Sequence, residues 1–315
     1  MKKALVFLLI FTIGSVLFAQ QGWYELDGLE YEVVNGRIIT IKRYTGNATT
    51  LDIPTQIDGL PVTVIEAIGD EAFSFYSSLT SVAIPSSVTS IENWAFAYLS
   101  SLTSITVDNR NFAYASIDGV LFDKSIRTII SYPAGKTART YTIPSSVMSI
   151  GEGAFSGCDS LTSVTIPSSV TSIGAQAFFL CSSLTSVTIP SSVTSIGINA
   201  FANCSGLTSV TIPSSVMSIG FGAFVGCESL TSITVDNRNL AYASIDGVLF
   251  DKSIRTIIIY PEGKTARTYT IPSSVTYIGI QAFSRCDSLT SITLSRRTQV
   301  GFGAFPPSAR IIYRD

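Results

Sequence analysis

Hydrophobic and polar positions repeat along this chain with a period of 23 residues. The phrase IPSSVTSIGxxAFxxCxSLTSVT occurs almost verbatim at 143–165, 166–188 and 189–211. Periods of this length are typical of solenoids, in which each repeat forms one turn and neighbouring turns stack to bury a continuous core. The pattern therefore predicts a solenoid.

Within one turn, the pattern predicts two short strands and a compact return. Val164 and Ile166 alternate with hydroxyl residues, as in a strand with one buried face. Pro167 cannot donate to a backbone ladder and is expected to end that strand. Ile173 would lie in a second short strand, and the Ala-Phe and Cys-Leu positions after it are spaced for a short helical or 3₁₀ return. Each turn therefore directs one set of apolar side chains inward.

The Ala-Phe pair recurs often enough to predict about eight turns. Its phenylalanines are Phe73, Phe96, Phe155, Phe178, Phe201, Phe224, Phe283 and Phe305. Two of the intervals contain inserts, at about 108–143 and 236–271, which are near-copies of each other. The copies differ at Phe112/Leu240, Ser131/Ile259 and Ala134/Glu262. Apolar runs on both sides of Asp123-Lys-Ser predict a β-hairpin in each insert, and we expect these hairpins to be ordered excursions from the stack.

The two ends of the chain differ from the repeats. In 20–50, Asn35-Gly36 between two strand-like runs predicts a β-hairpin that caps the solenoid of 51–305, and 306–315 is expected to form the C-terminal cap. Residues 1–19 have two lysines followed by an apolar run, which is typical of a secretory signal peptide. No later stretch is long and apolar enough to span a membrane. The sequence therefore predicts an exported protein.

The pattern CxxLTSVTIPSSVTSIGxxAF resembles the leucine-rich repeats of the BspA-like, Treponema pallidum-type class. The resemblance covers about 51–305 and includes the insert words IDGVLFDKS and YPxGKT; Tyr76, Leu99 and Ser308 stand where the pattern has cysteine. It implies a leucine-rich repeat solenoid, a β-rich α/β fold in a right-handed curved stack. Members are mostly bacterial surface or secreted proteins implicated in attachment to host proteins, host cells or other bacteria.

The five cysteines follow the repeat. They are Cys158, Cys181, Cys204, Cys227 and Cys286. Stacked turns would place their Cβ atoms ~4.8 Å apart, more than the ~3.8 Å that a disulfide prefers. We therefore predict one inward column of buried, reduced thiols that act as small hydrophobic groups. The same column cannot bring together four ligands for a structural zinc ion.

Composition argues against catalysis. The chain has no histidine, which excludes histidine bases, Ser-His and Cys-His nucleophiles and histidine metal ligands. The carboxylate pairs in the insert hairpins, Asp118 with Asp123 and Asp246 with Asp251, are interpreted as turn residues. The net charge of −2 does not favour nucleic acid as a partner. We expect no enzyme activity, no catalytic residue, no cofactor and no metal site.

Binding is the leading hypothesis, and two surfaces are candidates. One consists of outward hydroxyl rows, which would also serve simply to solvate a sheet. The rows are Ser163, Thr165, Ser186, Thr188, Ser209, Thr211, Ser232 and Thr234. The other consists of the inserts, whose arginine and tyrosine residues are types that often dominate binding energy. These are Arg110, Tyr114, Arg127, Tyr132, Arg238, Tyr242, Arg255 and Tyr260. Two copies of one insert would bind a repetitive ligand bivalently.

The sequence thus favours an exported bacterial leucine-rich repeat protein, at the cell surface or secreted, that acts as an adhesin or protein-binding scaffold. The expected partners are an extracellular host matrix or cell-surface protein, or the surface of a partner bacterium. A passive structural or antigenic surface coat is the alternative, because fold alone does not fix function. An ice-binding solenoid is less favoured, because a leucine-rich repeat sheet curves whereas ice binding needs a flat face.

Overall fold

The computed structural model describes residues 23–66 and 78–314. The predicted signal peptide, Phe73 and Tyr76 lie outside the described residues. The N-terminal strands are β1 (Tyr24–Leu26), β2 (Leu29–Val34), β3 (Ile38–Tyr44), β4 (Thr50–Asp52), β5 (Gln56–Ile57), β6 (Leu60–Ile65), β7 (Ser81–Ile84), β8 (Ser90–Ile91) and β9 (Ser104–Val107).

The middle strands are β10 (Tyr114–Ile117), β11 (Val120–Asp123), β12 (Thr128–Ser131), β13 (Thr140–Thr142), β14 (Ser149–Ile150), β15 (Ser163–Thr165), β16 (Ser172–Ile173), β17 (Ser186–Val187), β18 (Ser195–Ile196), β19 (Ser209–Ile212), β20 (Ser218–Ile219) and β21 (Ser232–Val235). The C-terminal strands are β22 (Tyr242–Ile245), β23 (Val248–Asp251), β24 (Thr256–Ile259), β25 (Thr268–Thr270), β26 (Tyr277–Ile278), β27 (Ser291–Ser295), β28 (Gln299–Val300) and β29 (Arg310–Arg314).

Two parallel ladders run along the stack, one for each strand of the repeat. The first ladder contains β13-β15-β17-β19-β21, and the second contains β12-β14-β16-β18-β20. Equivalent residues of successive turns are in register, so that Ser163 pairs with Ser186 and Ser172 with Ser195. The same arrangement recurs in β4-β7-β9 and in β25-β27-β29. The predicted solenoid of stacked 23-residue turns is therefore confirmed.

Additional strands pair with the solenoid at both ends. β1, β2 and β3 pair antiparallel, and Asn35 and Gly36 both adopt positive φ in the turn between β2 and β3. β3 then pairs parallel with β6 of the solenoid. At the other end, β29 pairs parallel with β27. The N-terminal segment thus extends the sheet that contains β6 and β8, and the C-terminal segment extends the sheet that contains β25 and β27.

The return segments are extended turns, so the predicted helical or 3₁₀ returns are wrong: the described residues contain no helix. The amides of Gln176, Phe178 and Leu180 donate to carbonyls of the following turn at 2.7–3.0 Å. Gln176 and Leu180 have φ of 51° and 58°, which directs alternate amides out of their own turn. A helix needs successive amides to donate within one segment, so this third ladder between turns excludes it.

The core is a column of aromatic rings beside a column of thiols. The rings of Phe155 and Phe178 stack with centroids 4.9 Å apart, and those of Phe178 and Phe201 with centroids 5.1 Å apart. The Cys181 thiol donates a hydrogen bond to the Phe155 carbonyl at 3.0 Å, and Cys204 makes the same bond to Phe178 at 3.1 Å. All five cysteines are free and buried, as predicted.

The inserts are part of the stack, so the expectation of excursions is wrong. Strands β10, β11 and β12 form an antiparallel meander, which confirms the predicted hairpins, but β11 is buried on both faces. Leu121 packs in the N-terminal core, whereas Val120 and Phe122 pack in the middle core. β23 divides the middle and C-terminal cores in the same way. The hydrophobic core of the described chain therefore has three parts, separated by the two insert strands.

Each insert also supplies an extra turn that the Ala-Phe count missed. β12 and β13 join the second and first ladders, and Tyr132 takes the place of phenylalanine in the ring column. This insert turn is two residues shorter at the corner before the return: Ile150 precedes Phe155 by five positions, but Ile129 precedes Tyr132 by only three. The shortened corner leaves space on the outside of the stack.

Candidate binding surfaces

A short loop follows β9 and, in the second copy, β21. We call residues 108–112 and 236–240 the insert tips. At the first tip, the Asn111 side chain is buried and makes four hydrogen bonds. Its amide donates to the carbonyls of Pro85 and Val88 at 2.8 and 2.9 Å, and its oxygen accepts from the amides of Ala113 and Tyr114 at 2.9 and 2.8 Å. The tip is therefore fixed to the preceding turn.

The second tip repeats this arrangement. The fully buried Asn239 donates to Pro213 and Val216 and accepts from the amides of Ala241 and Tyr242. All its hydrogen-bonding capacity is used, which makes a buried amide stabilising rather than costly. Sequence reasoning missed both asparagines; the only available signal was the repeated word DNRN.

Arg110, one of the predicted contact residues, lies at the first tip in a fixed orientation. Its guanidinium donates twice to Asp108, at 3.1 and 2.7 Å, and its backbone amide donates to the same carboxylate at 2.9 Å. These hydrogen bonds lower the pKa of Asp108 to about 2. Arg238 and Asp236 form the same pair, also with a pKa of about 2 for the carboxyl group. Each tip therefore presents an ordered, solvent-exposed guanidinium.

Beside each arginine is a large exposed apolar side chain. Phe112 is 71% exposed and Leu240 is 75% exposed. Their position is one of the three at which the inserts differ, and both residues there are apolar. An exposed apolar side chain on a rigid loop next to an arginine is the composition expected at the centre of a protein contact.

The other predicted insert residues have different surroundings. Tyr132 and Tyr260 are 3% and 1% exposed and belong to the ring column, where burial raises the pKa of each to about 12. Tyr114 is partly buried, and its hydroxyl accepts from the Ile91 amide at 2.8 Å; Tyr242 is equivalent and accepts from Ile219. The remaining two, Arg127 and Arg255, are exposed near the hairpin turns.

The hairpin carboxylates are turn residues. Asp123 accepts hydrogen bonds from the amides of Arg127 and Thr128 at 2.7 and 2.5 Å. Partial burial would raise its pKa, but hydrogen bonds from Ser125 and these amides outweigh that effect and lower it. Asp251 makes the same contacts in the second copy. Each carboxylate thus has a structural role in its turn.

The comparisons with known proteins agree with the repeat pattern. The sequence model of the BspA type leucine-rich repeat region matches residues 47–137, 134–257 and 261–311, which is most of the chain. The chain belongs to the BspA-type leucine-rich repeat family. The comparison with curated proteins returned no match.

Solved structures of bacterial leucine-rich repeat proteins are similar to this BspA-type chain. A leucine-rich cell surface protein from Faecalibacterium prausnitzii is 32% identical, with a TM-score of 0.58, over 93% of this chain and 76% of the other. A leucine-rich repeat protein from Eubacterium ventriosum is 20% identical, with a TM-score of 0.59, over 90% and 94%. The second likeness concerns the fold alone. No helix capable of crossing a membrane occurs in 23–66 or 78–314.

On this BspA-type solenoid, the predicted hydroxyl rows lie on the first ladder. The row of Thr165, Thr188, Thr211 and Thr234 is exposed. The serine row is more mixed: Ser186 and Ser209 are exposed, whereas Ser163 and Ser232 are partly covered. The rows end at the second insert, where Ile233 of β21 donates to the Gly247 carbonyl at 2.9 Å.

A neighbouring threonine column has a structural role that sequence reasoning missed. The hydroxyl groups of Thr162, Thr185 and Thr208 each donate to a carbonyl of the preceding turn at 3.0–3.4 Å. Their amides donate to the same carbonyls. Not every hydroxyl on this side is therefore available for contacts, and the two surfaces that remain are the exposed threonine row and the insert tips.

Proposed function

We propose that this BspA-type protein is an exported adhesin, a scaffold without catalytic function that binds host proteins, host cells or other bacteria through its two insert tips. The observation that carries the proposal is the duplicated tip. In both copies a buried asparagine fixes an ion-paired arginine beside an apolar side chain that is more than two-thirds exposed. Export is supported by the lysine-led apolar run at 1–19 and by the cell-surface description of the Faecalibacterium relative.

The spacing of the tips favours a repetitive or extended partner. The four ladder steps from β13 to β21, at ~4.8 Å each, already account for roughly 20 Å between the tips along the stack, and the first insert adds to that distance. An extended partner segment of about seven residues or more spans such a distance. Simultaneous binding at both tips would increase affinity without any new type of contact.

The experiment is solid-phase binding of residues 20–315 to fibronectin, fibrinogen, laminin, mucin and partner bacterial cells at physiological salt. The tip variant combines Arg110→Ala, Phe112→Ala, Arg238→Ala and Leu240→Ala. The matched control is Arg127→Ala with Arg255→Ala, which removes exposed charge outside the tips. We expect the tip variant to lose binding and the control to keep it.

Changing one tip alone separates bivalent from monovalent binding. Bivalency predicts that Arg110→Ala with Phe112→Ala weakens binding by at least about tenfold, since avidity gains commonly exceed that factor. A loss of affinity of about twofold would indicate that the two tips bind independently. Binding that survives the four-residue variant would place the contact on the threonine row, and no binding to any member of the panel would favour the passive-coat alternative.

A further inference from the structure

Each shortened insert turn leaves a cleft at the corner between the second ladder and the return face. The first cleft lies beside Trp94 and has a free volume of about 70 Å³. The second lies beside Phe221 and has a free volume of about 250 Å³. Equivalent residues of the two clefts lie 128 positions apart in the sequence, as do those of the two inserts. The same segments of the repeat therefore form both clefts, and we attribute the difference in volume to their side chains.

The first cleft is filled by Trp94, whereas glycine stands at the equivalent position 222. The Trp94 ring lies against Gly153 of the turn across the cleft, so closely that a Cβ atom there would be 2.6 Å from the ring. Asn93 also donates a hydrogen bond to Glu152 across the opening at 2.8 Å. At the second cleft, Phe221 and Ile280 replace Asn93 and Glu152, so the opening has apolar edges.

The second cleft contains a carboxylate where the first has a methyl group. Glu262 replaces Ala134, and its Oε1 accepts from the Gly226 amide at 2.7 Å. Within 23–66 and 78–314, its buried Oε2 has no hydrogen-bond partner, and the same is true of the Tyr260 hydroxyl. Both residues line the cleft. A buried carboxylate oxygen without a donor is costly, and a ligand that supplies a donor removes that cost.

Backbone donors are also available on one wall. In the regular turn before it, the amides of Asn199 and Phe201 donate to the following turn at 2.9 and 2.8 Å. The equivalent residues Gly222 and Phe224 line the second cleft, and no described backbone carbonyl accepts from their amides, because the insert turn is shortened at this corner. Donors two residues apart match the carbonyl groups on one side of an extended peptide.

We propose that the second cleft binds a lysine side chain carried by an extended peptide segment of a partner protein. The ammonium group pairs with Oε2 of Glu262 while Oε1 keeps its hydrogen bond from the Gly226 amide, and the peptide carbonyls accept from Gly222 and Phe224. The lysine stem lies against Phe221 and Ile280, whose apolar surfaces suit its methylene groups. Lysine fits better than arginine because only one carboxylate oxygen is free, whereas a guanidinium prefers both.

This site is separate from the insert tips, so either proposal can fail while the other holds. The probe is the peptide acetyl-Thr-Val-Lys-Val-Thr-amide, titrated calorimetrically into residues 20–315. Its neutral control has norleucine in place of lysine, and n-butylammonium tests the side chain alone. We expect the lysine peptide to bind at least about tenfold more tightly than either control, as for a charge-assisted hydrogen bond with added backbone pairing.

Two variants test the assignment within the protein. Glu262→Gln keeps the shape of the side chain and is expected to make the lysine and norleucine peptides bind equally weakly. Gly222→Trp recreates the side chain that fills the first cleft and is expected to abolish binding; its thermal melt is measured alongside. Equal binding of the two peptides to the unmodified protein would overturn the proposal, as would undiminished binding by Glu262→Gln or equal affinity for n-butylammonium.

Discussion

The ring of Tyr132 stacks on the ring of Phe155, with centroids 5.3 Å apart and planes 27° apart. Tyr260 and Phe283 have the same relationship at 5.0 Å and 25°. These contacts make each insert a continuation of the aromatic column. Tyr132 and Tyr260 therefore contribute to the stability of the stack, and the contact surface proposed for each insert is confined to its tip.

Substitution of Tyr260 separates its ring from its hydroxyl group. Tyr260→Ala is expected to lower stability by about 3–5 kcal/mol, because it leaves a cavity in the ring column. Tyr260→Phe is expected to be neutral or slightly stabilising, since the buried hydroxyl has no partner among the described residues. Urea unfolding followed by circular dichroism compares the two. A similar loss for both variants would show that the hydroxyl, not the ring, matters.

The buried asparagine of the first tip is expected to be a strong determinant of insert structure. Asn111→Ala leaves two carbonyls and two amides without their side-chain partner and should cost roughly 3 kcal/mol or more. Asn109→Ala changes an exposed asparagine two residues away and should be within about 0.5 kcal/mol of the unmodified protein. Thermal melts provide the comparison, and equal melting temperatures would contradict the anchoring role.

The thiol column is expected to be chemically inert in the folded protein. All five cysteines are buried, and burial raises the pKa of the Cys181 and Cys227 thiols well above their usual value. A disulfide reagent such as dithionitrobenzoate needs an accessible thiolate. It should react with none of the five thiols under native conditions and with all five in guanidinium chloride. Rapid reaction of any thiol in the native protein would contradict the structure.

Glu262 should make stability depend on pH. Burial raises its pKa above 4.5, together with Glu228 and Asp287, although the Gly226 amide and Arg285 oppose the rise. A raised acid contributes stability when protonated, so this contribution is complete below the unfolded value and is lost as pH rises through the folded pKa. Glu262→Gln is therefore expected to remove this fall in stability and to be the more stable protein at pH 7.

The control for that prediction is Glu25→Gln, which changes an exposed carboxylate of β1. Its melting temperature should follow that of the unmodified protein across pH 4 to 8, because the substitution changes only an exposed side chain. If Glu262→Gln followed the unmodified curve as well, the carboxylate would not be desolvated in solution, and the chemistry argued for the second cleft would lose its support.

The period of 23 residues was sufficient to predict the stack, because an exact repeat requires equivalent residues to lie in register. Phe201 and Cys204 are fully buried, as the alignment of the repeats requires. The helical returns were wrong because spacing within one turn does not reveal hydrogen bonds between turns. The positions of Tyr132 and Tyr260 in the ring column were not predicted. The insert turn is two residues shorter, so these tyrosines do not align with the phenylalanine of the Ala-Phe pair.

The clefts could not be predicted from the pattern. The two clefts differ in volume because the Trp94 ring packs against Gly153, 59 residues further along the chain, and fills the first cleft. Gly222 has no side chain at the equivalent position, so the second cleft stays open. In the repeat pattern, positions 94 and 222 are equivalent variable sites. Only the position of the shortened corner shows that they face a space.

The division of the core by β11 and β23 has a mechanical consequence. Each of these strands contacts one core with Leu121 or Leu249 and the next core with its neighbouring side chains, so the three cores meet only through thin boundaries. Under a pulling force applied at its ends, the chain is therefore expected to open in separate steps, one core at a time. Opening of the C-terminal core alone would leave the first tip folded, because Asn111 is hydrogen-bonded to Pro85 and Val88 beside the N-terminal core.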